Sequence, residues 1–133
     1  MRWGVYLVIV LLQLIVTFPR FLQTCEGLDA QRLVIYVGHH ISDVYLFWSP
    51  LFVTTLPEAL FHLMVVILIF IHWISYNNRC IVTVYLNQLC GYPEDVWFDS
   101  MLNRSALRNI SDYYQFVWIS VSVVLNFWLT AGK

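Results

Sequence analysis

In this 133-residue chain, the side chains with the most chemistry to offer are four histidines, three cysteines and a few carboxylates. His39 and Asp43 are four apart, a spacing that puts an imidazole and a carboxylate on one face of a helix. Together with His62 they could form a metal or haem ligand pair or a proton relay, because ionisable groups inside a membrane are costly and mark functional sites. His62 and His72 differ by ten positions, near 280° of rotation at about 3.6 residues per turn, so one ligand site does not easily use both. The plainer reading is taken here: His72 sits at an interface beside Trp73, His39, His40 and Asp43 lie near a helix end, and only His62 is deep.

The cysteines are read the same way. If Cys80 and Cys90 share one helix, they are roughly 15 Å apart along its axis, beyond a disulfide's Cα reach of about 7 Å. Cys25 could bond one of them if the first and third helices end on the same side, and an odd cysteine is left over in any case. All three are taken as reduced, small apolar residues. No C-x-x-C pair is present to suggest zinc. Nor does any G-x-G-x-x-G, G-x-S-x-G or close carboxylate pair occur, and Glu94, Asp95 and Asp99 in "PEDVWFDS" read as a solvated turn. No enzyme activity, cofactor or metal is expected.

The elements that hold these residues are apolar. The chain is 60% hydrophobic, 17% aromatic and 11% charged, with a mean hydropathy of +0.70, whereas a soluble domain carries about 25% charged residues. So few charges do not cover a water-facing surface, which predicts a membrane protein. A net charge of −1 provides no field to gather nucleic acid, which is set aside as a partner. The expected fold is an all-α integral membrane helical bundle of three to four spans with a short interfacial amphipathic helix, in one domain.

The first span, 3–22, is an apolar run whose uninterrupted part, to Phe18, is short of a ~30 Å bilayer core. Continuing it needs Arg20 to snorkel, and Pro19 predicts a kink or an early stop. No small-x-small cleavage site follows, so it is read as a helix that stays. A second helix, 30–48, starts at a cap by Asp29 and either crosses the membrane or lies along its surface. The third, 56–75, has the strongest spanning signal, with Thr55 and Glu58 as a capping box and Pro57 in the first turn. The last, 113–130, starts near Ser111 and Asp112, and its Ser122 and Asn126 share a face suited to packing on another helix.

Between the last two spans lies the polar loop 76–112. Within it Ile81, Val82, Tyr85, Leu86 and Leu89 recur at helical spacing, with Thr83, Asn87 and Gln88 largely opposite, and Gly91 and Pro93 as stop signals. This predicts a short amphipathic helix on the membrane surface. Arg20, Arg32, Arg79, Arg104 and Arg108 share one side, against Arg2 and Lys133, so the positive-inside rule puts the loop in the cytosol. The tripeptides "NRS" at Asn103 and "NIS" at Asn109 match the glycosylation pattern, which would need a lumenal loop.

The run "FIHWISYNNRCIVTVYLNQLCGYPEDVWFDSML" resembles a pattern in small multi-span membrane proteins of large double-stranded DNA viruses of eukaryotes. There a helix ends in His-Trp, an Asn-rich corner leads to Cys-x-x-Thr, and Phe-Asp opens a short segment before the last span. Here those positions are His72, Trp73, Asn77, Asn78, Cys80, Thr83, Phe98 and Asp99. The resemblance implies a virion inner-membrane or minor capsid component that anchors the capsid layer to lipid. In that picture 76–112 is a docking loop, with Tyr85, Tyr92 and Trp97 available to a partner. Asn77 and Asn78 would satisfy the last carbonyls of the third helix, and Cys80 and Thr83 would pack the amphipathic turn back onto the bundle. The competing classes are a small accessory subunit of an organellar, respiratory-type membrane complex and a histidine-based metal or haem membrane protein.

Overall fold

Each helix begins where its local chemistry satisfies free backbone donors. The Asp29 carboxylate accepts from the Arg32 N–H at 2.8 Å, which caps α2, Ala30–Trp48. The Glu58 carboxylate accepts from the backbone N–H groups of Thr54 at 2.9 Å and Thr55 at 3.2 Å, and with Pro57 in the first turn it sets the start of α3, Leu56–Ser75. These contacts satisfy donors that an isolated helix end leaves open. At the far end of α3, Tyr76 donates back to the His72 and Trp73 carbonyls, and Asn77 turns left-handed at φ 54°. Asparagine tolerates that conformation better than most residues, so the chain leaves the helix there.

The structure, a computed structural model, describes residues 1–25, 27–77, 79–91 and 111–131. Besides α2 and α3 it contains α1, Trp3–Thr24, α4, Ile81–Leu89, and α5, Ser111–Thr130, with a single 3-10 turn at Ser49–Leu51 after α2. Among the described residues the fold is all-helical. α1 continues past Pro19 to Thr24, so the early stop that Pro19 allowed is corrected: proline removes one backbone donor but leaves the rest of the last turn intact. By length and composition, α1 and α3 are each long and apolar enough to cross a membrane.

Cross-helix contacts give the topology. α1 and α2 are antiparallel, for Tyr6 and Val10 near the start of α1 pack in one cluster with Val44 near the end of α2, while Phe21 near the end of α1 stacks on Tyr36 near the start of α2. α5 runs parallel to α2, since Ser122 pairs with the Leu46 carbonyl at 3.2 Å and Asn126 with Ser49 at 2.8 Å. α3 runs antiparallel to α5: Trp73 stacks edge-on against Phe116 at 5.4 Å near one end, and His62 meets Ser49 beside Asn126 towards the other. α2 therefore touches α1, α4 and α5 and is the hub of the bundle.

α4 stands alongside α2 rather than lying across the end of the bundle. Tyr85 Oη accepts from Gln31, Arg32 Nε donates to the Leu89 carbonyl at 3.0 Å, and Thr83 reaches His39. Its orientation is the reverse of a soluble amphipathic helix: Thr83 and Asn87 are buried with Leu86, while Ile81, Val82 and Tyr85 face out. Elsewhere in the bundle, buried polar side chains share the interior with an apolar core that includes Phe21, Tyr36, Val44, Phe52 and Ile119. His40, His62, Ser49, Asn87 and Asn126 are fully buried, whereas Leu68, Ile74, Val124 and Trp128 are each about two-thirds exposed or more. Moving one such side chain from water into hydrocarbon is worth about 1.5–3 kcal/mol, and a whole domain is stable by only about 5–15 kcal/mol.

Candidate functional site

Among the described residues, three groups of buried polar side chains lie along α2. The first joins α1 to α2. Thr17 Oγ1 contacts both Tyr36 Oη and His40 Nε2, the latter at 2.9 Å, and His40 Nδ1 donates to the Tyr36 carbonyl at 2.9 Å. Tyr36 also stacks on Phe21, ring centroids 4.1 Å apart, so His40 is held in an aromatic pocket. Deep burial of an imidazole is tolerable here because both ring nitrogens have partners.

The second group joins α2 to α4 and to the corner before it. His39 Nε2 lies 2.9 Å from Thr83 Oγ1, and His39 Nδ1 lies 3.1 Å from the Asp43 carboxylate. Cys80 is the N-cap of α4 and makes no side-chain cap hydrogen bond there. Burial raises a thiol's pKa, but the nearby His39 and the backbone N–H groups at the start of α4 outweigh it and hold Cys80 below the ordinary thiol range.

The third group joins α2, α3 and α5. Ser49 Oγ lies 3.1 Å from His62 Nε2 and accepts from Asn126 Nδ2 at 2.8 Å. His62 Nδ1 and Asn126 Oδ1 have no hydrogen-bond partner among the described residues. The spacing of His39, Asp43 and His62 suggested one relay; the fold instead gives His62 to Ser49 and leaves Asp43 with His39. Among the described residues no three His, Cys, Asp or Glu side chains converge to hold a metal ion.

Several expectations are corrected. His39 and His40 are as deep as His62, because the middle of α2 faces α1 and α4 rather than a membrane surface. Trp73 is also buried, packed between Phe70 and Phe116, so it joins helices and is unavailable to a partner. The cysteines are not all reduced: Cys25 and Cys90 form a disulfide with Cα atoms 4.6 Å apart, and Cys80 is the free thiol. The end of α4 meets the end of α1, which brings together residues 65 positions apart in the chain.

The other docking-loop residues divide by accessibility. His72 accepts from the Ile81 N–H at 3.3 Å and so ties the end of α3 to the start of α4. Asn77 and Tyr85 are exposed, whereas Thr83 is turned inward. Asn78, Tyr92, Trp97, Phe98 and Asp99, with the tripeptides at Asn103 and Asn109, lie outside the described residues. Ser122 and Asn126 both face α2. Ser49 before Pro50 reads as the start of a new helical turn and opens the 3-10 turn there, but its partners, like those of Thr17 and Tyr36, come from other helices and spacing along the chain does not show them. No protein family matches this chain, nor does any curated protein or solved structure.

Proposed function

We propose that the chain is a non-enzymatic structural subunit of a membrane-embedded assembly, a helical bundle of three to four spans whose outer face meets lipid and neighbouring subunits. The observation that carries this reading is the inverted surface, with exposed Leu68, Ile74, Val124 and Trp128 around buried His62, Ser49 and Asn126. In lipid, apolar packing between helices has no solvent drive, so interior hydrogen bonds and close fit hold the bundle together. The resemblance at His72–Asp99 gives the assembly a context: the internal membrane of a virion, where the protein anchors a capsid layer to lipid. The exposed corner at Asn77 and Tyr85 is the surface through which such a neighbour would be held.

Crosslinking of the intact native particle, with mass spectrometry of what is joined to residues 75–111, tests the proposal. Capsid-layer partners are expected. Recovery with redox subunits of an organelle, or with bound haem or metal lost on His62→Ala, would overturn it in favour of an accessory respiratory subunit or a cofactor protein.

A further inference from the structure

The bond between Cys25 and Cys90 lies in a cluster with Phe21, Tyr36 and Leu86, and Cys25 is itself buried. Two separate thiols take more room than one sulfur–sulfur bond, so this part of the interior is packed for the oxidised pair. Such bonds form and persist in oxidising compartments and are rare in the cytosol, where thiols are kept reduced. We infer that the end of the bundle carrying Cys25–Cys90 lies on the oxidising, non-cytosolic side of its membrane, and that the neighbour held at Asn77 and Tyr85 approaches from that side. The inference rests on the membrane reading and deepens it by giving the two ends of the bundle different compartments.

The helix directions carry the assignment to the rest of the chain. The ends of α1 and α4 meet at the disulfide, and Arg32 near the start of α2 donates to the Leu89 carbonyl beside it at 3.0 Å. His72 near the end of α3 accepts from the Ile81 N–H at the start of α4, and Trp73 packs on Phe116 near the start of α5. The opposite end gathers the start of α1, the end of α2 and the end of α5: the Arg2 N–H donates to the Phe52 carbonyl at 2.8 Å, and Asn126 reaches Ser49 at 2.8 Å. That end faces the cytosol. This orientation is opposite to the one the arginine count predicts. Arg32, however, has a structural reason to be where it is, since its guanidinium lies 3.6 Å from the Asp29 carboxylate and also holds the end of α4. An arginine bias is a tendency that acts during insertion, whereas a bond packed into the interior belongs to the finished fold.

The test uses the full chain, with an epitope after Lys133, synthesised into sealed rough microsomes, whose lumen is oxidising. Proteinase K added outside is expected to remove the epitope without detergent, a readout that needs no substitution. Tyr85→Cys in a Cys80→Ser background probes the exposed corner. It is expected to resist a membrane-impermeant maleimide until detergent opens the vesicles, with Cys25 and Cys90 joined throughout. A protected epitope with position 85 labelled before detergent overturns the inference, and so does an even mixture of the two orientations. Resistance to alkaline carbonate is scored on the same vesicles. Reversed orientation in carbonate-resistant protein overturns this inference alone, whereas release by carbonate overturns the membrane reading and this inference with it.

Discussion

His39 and Thr83 lie 44 positions apart, yet the imidazole Nε2 and the hydroxyl Oγ1 meet at 2.9 Å in the interior. This contact explains how a nine-residue helix, too short to be stable alone, stands against α2 with its polar face hidden. Removing the hydroxyl by Thr83→Val is expected to destabilise the bundle by about 1 kcal/mol, while Thr83→Ser is close to neutral. Reversible unfolding in mixed micelles by sodium dodecyl sulfate reads the difference. An unchanged midpoint for Thr83→Val would show that α4 is held by other contacts.

Ser49 accepts from Asn126 and lies against His62, so three helices share one hydroxyl. A double-mutant cycle of Ser49→Ala and Asn126→Ala should give a coupling energy of about 0.6 kcal/mol, and at most about 1.7 kcal/mol. Strict additivity would mean that the two side chains do not touch in the membrane.

The Cys25–Cys90 bond closes a long loop between the ends of α1 and α4. Non-reducing peptide mapping should recover those two cysteines joined and Cys80 free to alkylate. Cys25→Ser is expected to cost about 2–4 kcal/mol, nearer the lower figure because insertion already restrains the unfolded chain. Three alkylatable thiols in undigested native protein would contradict the pairing.

Two tryptophans in helices of similar apolarity should respond oppositely to truncation. Trp73 is buried between Phe70 and Phe116, and Trp73→Ala is expected to cost about 3–5 kcal/mol. Trp128 is 74% exposed, and Trp128→Ala should change unfolding by less than about 0.5 kcal/mol. Similar losses at both sites would place Trp128 in an interface with another subunit.

The local chemistry of helix starts was readable from the residues. Asp29 before Ala30, and Thr55, Pro57 and Glu58 around Leu56, are short-range signals, and the helices begin there. Depth was less readable. Polar spacing at His39, His40 and Asp43 gives a face but not what covers it, and the covering groups, Thr17 and Thr83, come from α1 and α4. The periodicity of Ile81–Leu89 identified two faces of α4, yet which one turns inward depends on whether the surroundings are water or lipid. Cys25–Cys90 depends on two helix ends meeting, which spacing along the chain does not specify. Trp73 beside His72 has the composition of an interfacial belt, but its azimuth points it at Phe116.

The central claim is that the apolar outer surface faces lipid while the polar seam stays inside. Photolysis of a diazirine-bearing phospholipid around the full chain in nanodiscs, mapped by mass spectrometry, tests it most directly. The account predicts label on Leu68, Ile74, Val124 and Trp128 and little or none on Val66, Ile119 or His62. Label confined to α1, with a water-borne carbene marking Leu68 and Val124 instead, would contradict it.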